Sequence, residues 1–282
     1  MTEIHADLHS HTTCSDGVLL PHSLVEKAAR VGLKALSITD HDNMDAHRLF
    51  AREGIGEEIK IIPGIELSCY EHGRDIHILG YYLDANNERL MSYEVTFRED
   101  RERRAREIVD KLNHLHIKIS YDEVVDQAAG AMIGRPHIAA VLVRRGVVPN
   151  IQKAFDHYLD SSKPAYAPRS PFSVRDGVQL IQQAGGVAVV AHPGRTFTDP
   201  RLFIALVSSG IDGIEVFHPS HWNVTREYYR TLAHQHRLVI TGGSDFHGTR
   251  DYDENNFSKF GVTEELFDAL HIRSLQRQLH GR

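Results

Sequence analysis

Short apolar runs recur along the chain, and each is followed by polar residues that can take part in chemistry. The apolar positions are contiguous and rich in Ile and Val, with no strict alternation, which is typical of strands buried on both faces. Seven segments carry this pattern: 3–11, 35–42, 59–68, 75–83, 186–194, 213–221 and 237–248. The sequence therefore predicts seven buried β-strands.

Helical patterns lie between several of these strands. Residues 21–32 begin with a Pro in the first turn and end in a Gly, and residues 173–186 begin with a Ser cap and end in paired glycines. A third helix is predicted over 222–236. Alternating strands and helices predict a parallel sheet with right-handed crossovers, and seven strands favour a closed α/β barrel over an open sheet. In such a barrel the chemistry lies at the carboxyl ends of the strands.

Residues 86–165 interrupt this alternation. They contain a long charged amphipathic pattern and then shorter helical segments near 121–129, 136–145 and 151–160. We interpret 99–165 as a helical insertion, or cap, between the fourth and fifth strands. The barrel would then consist of a first part, 1–98, and a second part, 166–282, that ends in a helix.

The run REDRERRARE at 98–107 is the most highly charged part of this insertion. We expect it to be a solvent-exposed helix face with ion pairs between residues four positions apart. Interspersed Glu and Asp residues argue against a nucleic-acid contact there. No internal repeat or low-complexity segment accompanies the run.

Composition narrows the function mainly by exclusion. The 282 residues are 41% hydrophobic and 25% charged, which is ordinary for a globular protein of one large α/β domain. No apolar run approaches the roughly 18 residues that a membrane span requires, and no signal-peptide pattern is present, so no membrane partner is expected. The two cysteines, Cys14 and Cys69, make no disulfide framework, which predicts a cytoplasmic protein.

Charge limits the size of the substrate. The net charge of −6 provides no basic field for a long duplex nucleic acid, so any anionic substrate must be captured locally, by metals or a few arginines. Histidine is unusually frequent, with 20 residues, and it is the commonest metal ligand. The sequence itself indicates no protein partner.

Side chains that can bind metals follow six of the predicted strands. They are His9, His11, Asp16, His41, Glu66, His77, His192, Asp245 and His247. A single histidine at a strand end is most often an ordinary polar residue. Six recurrences at the same level of a barrel predict a shared metal site, because a closed barrel brings these ends to one rim.

The motifs that carry these side chains resemble those of the PHP (polymerase and histidinol phosphatase) superfamily. They are DLHSHTTCSDG (7–17), ITDHD (38–42), PGIELS (63–68), AHPG (191–194) and GSDFHG (243–248). The segments IGRPHIAAVLVRRG and KAFDHYLDSSKPAYAP of the insertion further resemble the TrpH/RNase AM branch. That branch contains bacterial 3′,5′-nucleotide phosphatases and 5′-3′ exoribonucleases acting on short RNA.

The resemblance implies a distorted seven-stranded (β/α)7 PHP barrel with up to three divalent metal ions. It implies three ligand groups, of which the first two share Glu66: His9, His11, Glu66 and Asp245; Glu66, His77 and His192; and Asp16, His41 and His247. The catalytic residues it implies are Asp16, His41, Glu66, His192 and His247. Every position of the family pattern is filled by a usable ligand, which argues against a non-catalytic copy.

The ligand chemistry agrees with this expectation. Mixed imidazole and carboxylate ligands suit Mn, Fe or Zn better than Ca or Mg, so we expect two or three transition metal ions, with Mn preferred. A bridging carboxylate holds two ions about 3.5–4 Å apart, where a shared hydroxide can form near neutral pH and attack phosphorus in line. Asp7 and Asp40 are expected either to accept hydrogen bonds from ligand N–H groups or to make ordinary strand-end hydrogen bonds.

Substrate binding requires fixed cations beside the metals. Arg135 and His137 of the insertion are the first candidates, followed by Arg195, because an arginine fork matches phosphate oxygens. An ordinary salt bridge in the insertion is the alternative for Arg135. His218 and His221 are candidates for orienting the substrate or protonating the leaving group, or are rim histidines without a role. Two aromatic residues, Trp222 and Phe246, either stack on a base or pack in the protein.

These observations predict a metal-dependent hydrolase of nucleotide phosphate esters. The preferred reactions are conversion of a nucleoside 3′,5′-bisphosphate to the 5′-monophosphate and phosphate, and 5′-3′ hydrolysis of short RNA. Both share one chemistry with different leaving groups. A small-metabolite phosphatase, such as histidinol-phosphate phosphatase, is the alternative. A regulatory module that keeps its metals for structure only is an alternative of another class.

Overall fold

The computed structural model describes residues 3–54, 59–195 and 200–280. Its centre is a sheet of seven strands that follow one another in chain order. The strands are β1 (Ala6–Asp7), β2 (Ala35–Ile38), β3 (Lys60–Glu71), β4 (Arg74–Tyr81), β5 (Val187–Val190), β6 (Gly213–Phe217) and β7 (Val239–Gly242). All seven predicted strands are therefore present.

The first and last strands meet through the segments that follow them. Leu8 N–H donates to Gly242 O at 3.1 Å, Asp245 N–H to His9 O at 2.9 Å, and His11 N–H to Phe246 O at 2.8 Å. These bonds nearly close the sheet into a barrel, as predicted. They also hold the residues after β1 and β7 side by side at the carboxyl end of the barrel.

The expectation of a fully parallel sheet is wrong for β4. The pairs β1–β2, β2–β3, β5–β6 and β6–β7 are parallel, whereas β4 runs antiparallel to both β3 and β5. Only His72 and Gly73 separate β3 from β4, with φ of 48° and 80°. Two residues with positive φ make a hairpin turn, and they leave no room for the crossover that a parallel pair requires.

The described chain has eleven α-helices. They are α1 (Pro21–Arg30), α2 (Asp45–Glu53), α3 (Glu88–His114), α4 (Tyr121–Ala128), α5 (Arg135–Arg144), α6 (Ile151–Ala154), α7 (Val174–Gln183), α8 (Pro200–Ser208), α9 (Asn223–His236), α10 (Asp253–Asn256) and α11 (Glu264–His280). The three predicted inter-strand helices are confirmed as α1, α7 and α9. The predicted Ser cap of α7 is also present, since Asp176 N–H donates to Ser173 Oγ at 3.1 Å.

Helix α3 connects two apolar cores. Leu90 and Phe97 belong to a core beneath the barrel strands, whereas Ile108 and Leu112 belong to a separate core formed with α4 and α5. The predicted boundary at residue 99 falls inside this continuous helix. The division into domains therefore stays a prediction, although the insertion does bury a core of its own.

The expected solvent-exposed face at 98–107 is correct for only part of the run. Arg103 is half exposed and contacts Asp100 and Glu107 on the same helix. Arg101 and Arg104 instead point into the protein: Arg101 pairs with Asp42, and Arg104 Nε–H donates to Ala167 O at 2.7 Å. The helix is covered on this side because it bridges the barrel and the insertion.

None of the helices in the described ranges has the length and apolar character needed to cross a membrane.

Candidate metal centre

Glu66 of β3 is the carboxylate at the centre of the site. Its side chain is only 1% exposed, and Oε2 lies 3.3 Å from His9 Nε2, 3.2 Å from His11 Nε2 and 3.2 Å from His41 Nδ1. His9 and His11 follow β1, and His41 follows β2. Three imidazoles from two neighbouring strand ends thus face a single oxygen atom.

The other oxygen of Glu66 faces two more imidazoles. Glu66 Oε1 lies 2.8 Å from His77 Nδ1 and 3.0 Å from His192 Nε2. His77 is presented by β4, which pairs with β3, and His192 follows β5. Five imidazole nitrogens therefore lie within 3.3 Å of the two carboxylate oxygens of Glu66.

Asp245 and Asp16 extend the site toward β7 and the loop after β1. Asp245 Oδ1 lies 3.4 Å from His9 Nε2 and 3.3 Å from His11 Nε2. Asp16 Oδ1 lies 3.4 Å from His247 Nε2, and the His11 and His247 rings stack with centroids 4.1 Å apart. All the predicted ligands converge on one end of the barrel.

Four groups of these side chains place their ligand atoms within 4.8 Å of one another. The groups are His11, Asp16, His41 and His247; His9, Glu66 and His192; His9, His11 and Asp245; and His41, Glu66 and His77. These groups overlap with the predicted partition but are not identical to it, because His11 also joins Asp16. The structure brings all nine residues together, and which of them would share an ion stays a prediction.

The donor atoms fit divalent transition metal ions. Within the described residues, His9 Nε2, His11 Nε2, His41 Nδ1, Asp16 Oδ1 and Glu66 Oε2 are buried without a hydrogen-bond partner. Buried polar groups in proteins are normally hydrogen-bonded, so this set is unusual. Nitrogen and oxygen atoms that converge without donating to one another are placed as ligands around a cation would be, and imidazole with carboxylate suits Mn, Fe or Zn.

The carboxylates of the site are held ionised. Burial would raise the pKa of Glu66, but the imidazoles of His41, His77 and His9 hold it well below its usual range. Burial likewise opposes the ionised form of Asp245, yet Arg250 and the neighbouring imidazoles keep its pKa well below the usual range. Both carboxylates are therefore available to a cation at any physiological pH.

The imidazoles respond differently to their positions. Burial lowers the pKa of His41 to about 3, so this ring is neutral and has a free lone pair. Burial would also lower the pKa of His11, but the adjacent Asp245 and Glu66 carboxylates raise it to about 10. In the absence of a cation, His11 therefore carries a proton that a metal ion must displace.

Two predicted ligands have a backbone conformation that non-glycine residues rarely adopt. His192 has φ of 29° and Asp245 has φ of 52°. Such strain persists only where the surroundings hold it, and it is typical of functional sites. The first glycine of the GSDFHG motif is required by a close backbone contact, because a Cβ on Gly243 would lie 2.4 Å from His9 N.

Sequence reasoning missed two charged residues of the site. Glu215 of β6 is fully buried and lies 3.0 Å from His9 Nδ1. Arg250 Nη1 donates to Asp245 Oδ2 at 2.9 Å. A glutamate inside the apolar run GIEVF is a signal that could have identified Glu215, since charged residues are almost never fully buried without a partner. No local pattern distinguishes Arg250.

Asp7 and Asp40 make ordinary strand-end hydrogen bonds, which is the second of the two alternatives predicted for them. Asp7 Oδ1 accepts hydrogen bonds from the backbone of His9 at 3.2 Å and of Ser244 at 3.0 Å. Asp40 accepts from Thr12 N at 2.7 Å and from Ser15 Oγ at 2.6 Å. These are strand-end hydrogen bonds that hold the ligand loops, and neither carboxylate contacts a ligand imidazole.

The substrate candidates from the insertion lie at its junction with the barrel. Arg135, at the start of α5, pairs with Asp75 of β4 at 3.1 Å, so it makes an ion pair across that junction. His137 Nδ1 accepts from Gly134 N–H at 3.0 Å and caps the same helix. The side chain of Arg195 lies outside the described residues.

The candidates that follow β6 divide into two kinds. His218 Nε2 is buried without a hydrogen-bond partner among the described residues and lies 3.4 Å from Asp245 Oδ2. Both nitrogens of His221 are engaged by the backbone, at 2.9 Å from Val216 O and 2.9 Å from Gly194 N. His221 therefore positions the turn after β5 and has no ring nitrogen left for a substrate.

The two aromatic candidates also differ. Trp222 is 82% exposed, whereas Phe246 is fully buried with its ring centroid 5.0 Å from that of Phe257. Phe246 is thus a packing residue, as one alternative held. Trp222 is exposed to solvent, and its contact with a base stays a prediction.

Comparison with known proteins agrees with this geometry. Residues 7–164 match the PHP domain family. The chain belongs to the PHP domain family. This PHP chain is 35% identical to the 5′-3′ exoribonuclease Rnm of Salmonella typhimurium over 248 residues. The aligned region covers 86% of this chain and 84% of the relative.

Two further relatives span nearly all of the PHP chain. It is 33% identical to a 3′,5′-nucleoside bisphosphate phosphatase of Chromobacterium violaceum, over 98% of this chain and 96% of the relative. A crystal structure from Bifidobacterium adolescentis, assigned as a metal-dependent phosphoesterase, superposes with a TM-score of 0.83 at 30% identity, over 95% of this chain and 96% of that one. The predicted family and barrel are confirmed, and the chain stands among hydrolases of phosphate esters.

Proposed function

We propose that this PHP chain is a metal-dependent phosphoesterase whose substrates are nucleotides. It would remove the 3′-phosphate of a nucleoside 3′,5′-bisphosphate, leaving the 5′-monophosphate, and hydrolyse short RNA in the 5′-3′ direction. The observation that carries this proposal is the buried Glu66 carboxylate with five imidazole nitrogens within 3.3 Å. Relatives that act on RNA and on nucleoside bisphosphates support the substrate class.

Two or three divalent ions, preferably Mn, would be held by the nine converging side chains, with Glu66 shared between neighbouring ions. When bound, such ions would supply an activated water and neutralise the charge that develops on the phosphoryl oxygens. His41, with its low pKa, and the ionised Glu66 would bind a cation without first losing a proton. Asp16, His192 and His247 would complete the catalytic group.

His218 is the candidate for contact with the oxygen atoms of the substrate. Its Nε2 is buried without a hydrogen-bond partner in the described chain, and its ring lies 5.3 Å from that of His192. Burial lowers the pKa of His218, so the ring is neutral near pH 7. A neutral imidazole beside the ligands could donate a hydrogen bond to the departing oxygen.

A cluster of arginines where the insertion meets β4 supports a substrate with a second phosphate. Arg135 and Arg169 lie 3.1 and 3.4 Å from the carboxylate of Asp75, and Arg104 is close enough to both arginines to be repelled by them. Burial and this repulsion lower the pKa of Arg104 to about 9. The cluster thus combines three guanidinium groups with one contacting carboxylate, that of Asp75. It carries two positive charges in excess.

Two nitrogens of this arginine cluster lack a hydrogen-bond partner within the described ranges. They are Arg104 Nη2 and Arg169 Nη1, both buried. Asp75 is two residues from His77 on β4, which corresponds to a separation of about 7 Å along the strand. A phosphate bound by the arginines would therefore lie beside the metal centre, which would suit a nucleotide that carries a second phosphate. His137, on the same helix as Arg135, is a further candidate for this contact.

The test is metal analysis of the purified protein together with a phosphate-release screen. The substrates are adenosine 3′,5′-bisphosphate, adenosine 3′-monophosphate, AMP, histidinol phosphate and short RNA oligomers. We expect bound transition metal, with the bisphosphate and RNA as preferred substrates. Preference for histidinol phosphate would indicate a small-metabolite phosphatase. Bound metal without hydrolysis of any of them would indicate a structural module.

We expect the enzyme to act in the cytoplasm, in keeping with the free thiols of Cys14 and Cys69.

A further inference from the structure

Glu215 is a buried carboxylate that the proposed chemistry does not use. It lies in β6 with no exposed surface. No lysine or arginine of the described residues pairs with it, although an unpaired buried carboxylate is costly. Its charge must therefore be balanced by the groups that it contacts.

Each oxygen of Glu215 serves a different strand end. Oε1 lies 3.0 Å from His9 Nδ1, after β1. Oε2 accepts a hydrogen bond of 2.7 Å from the backbone N–H of His192, after β5. One carboxylate thus joins two residues of the candidate metal centre that come from distant parts of the chain.

The contact with His9 decides where its proton lies. An imidazole that binds a cation is neutral and has one N–H, and a carboxylate at Nδ1 holds that proton there. Nε2 is then left with a lone pair, and this atom lies 3.3 Å from Glu66 Oε2 and 3.4 Å from Asp245 Oδ1. Glu215 therefore directs the free lone pair of His9 into the centre.

The contact with His192 supports an unfavourable backbone conformation. His192 has φ of 29°, which costs free energy in a residue with a Cβ. The short bond from its N–H to Glu215 is charge-assisted and can offset that cost. In this conformation His192 Nε2 lies 3.0 Å from Glu66 Oε1.

We propose that Glu215 is the positioning residue of the metal centre, because it sets the proton position of His9 and the backbone turn of His192. Both imidazoles then present Nε2 to the cations that Glu66 would share. The inference rests on the proposed metal-dependent function and concerns how tightly the centre binds its metal.

Glu215→Gln tests this role while preserving size. The amide has one acceptor oxygen for two N–H donors. Either the hydrogen bond from His192 N–H is lost, or the amide N–H faces His9 Nδ1 and favours the tautomer of His9 with its proton on Nε2. We expect the affinity for Mn²⁺, measured by competition with a chelator, to fall about 10–100-fold. The visible spectrum of the Co²⁺-substituted protein should also change, because the ligand geometry changes.

Glu94→Gln is the matched control. Glu94 is also a buried glutamate, but it pairs with Arg48 and has no contact with the centre. Its substitution should lower the melting temperature and leave Mn²⁺ affinity and the Co²⁺ spectrum unchanged. If Glu215→Gln behaved in the same way, Glu215 would be merely structural and the inference would be wrong.

Two outcomes separate this inference from the proposed function. A wild-type protein that binds Mn²⁺ and shows the expected loss in Glu215→Gln, yet hydrolyses no phosphate ester, would refute the function and keep the inference. A wild-type protein that binds no transition metal would refute both. If Glu215→Gln fails to fold, Glu215→Asp keeps the charge with a shorter reach. Full Mn²⁺ affinity in that variant would refute the positioning role.

Discussion

At the mouth of the barrel, the surroundings of a few side chains determine what they can do. Glu66 and Asp245 stay ionised although they are buried, because imidazoles and Arg250 surround them. His41 stays neutral because burial disfavours its charge. Side chains of these types on a surface would titrate near their ordinary pKa values, so burial together with close neighbours creates the site.

His192→Ala tests whether the centre is catalytic. The substitution removes one of the two imidazoles that face Glu66 Oε1, so we expect kcat for the bisphosphate to fall at least about 100-fold. Phosphate release and thermal melting are measured on the same preparation. A variant with altered stability but unchanged turnover would favour the structural-module alternative.

The raised pKa of His11 predicts how metal affinity depends on pH. The ring is protonated in the metal-free protein below its pKa of about 10, and a bound cation must displace that proton. Affinity should therefore rise with pH between roughly pH 6 and 9, by about tenfold per unit for each proton displaced. Mn²⁺ titrations at several pH values measure this slope. A flat profile would contradict the displacement of a proton from His11.

Among the secondary-structure elements, the β3–β4 hairpin and helix α3 connect the site to the rest of the fold. The hairpin places His77 of an antiparallel strand beside Glu66, where a parallel strand would have needed a crossover helix first. Helix α3 carries Arg101 to Asp42, the residue after His41. The insertion is thus tied directly to a ligand loop.

Arg101→Met tests this tie between the insertion and the barrel. Burial would raise the pKa of Asp42, but Arg101 helps to hold it at about 2, so the substitution leaves a buried carboxylate without its cationic partner. A buried charge left unpaired costs about 3–5 kcal/mol, and we expect this loss of stability in urea unfolding of the metal-free protein.

Arg103→Met on the same helix is the control for Arg101→Met. Arg103 is half exposed, and such surface pairs contribute about 0–1 kcal/mol. Equal effects of the two substitutions would argue against a specific tie. In wild type, the contribution of Asp42 is present above its unfolded pKa of about 3.9 and is lost as the pH falls toward its folded pKa of about 2.

Across the whole molecule, the metal centre and the arginine cluster suit the two ends of a small, doubly charged substrate. The chain carries a net charge of −6, so attraction is confined to this local region. Arg169→Met should lower kcat/KM for adenosine 3′,5′-bisphosphate about 10–100-fold, because a charged hydrogen bond contributes about 1.5–3 kcal/mol. Hydrolysis of adenosine 3′-monophosphate should change little, since it lacks the second phosphate.

Comparison of the two substrates makes the Arg169→Met result specific. An equal loss with both would mean that Arg169 supports the fold or the metal centre and not a second phosphate. Arg145→Met is the control, because it removes an exposed charge of the insertion that pairs with Glu123 and not with the cluster. Its kinetics should match those of the wild-type enzyme for both substrates.

The sequence by itself determined the strand and helix segments and the side chains of the candidate centre. These features are local, because apolar runs mark buried strands and each ligand lies within a short motif at a strand end. The family resemblance added which motifs belong together. Residue types and spacing carried this information without any knowledge of contacts.

Only the tertiary structure decided the direction of β4, the burial of Arg101 and Arg104, and the link from Glu215 to the centre. His9 and Glu215 are 206 positions apart, and their contact exists only because the barrel nearly closes. The arginine cluster likewise needs α3, α5 and the segment before α7 to meet over β4. Contacts between distant segments depend on how whole elements pack, and no local pattern in the chain encodes them.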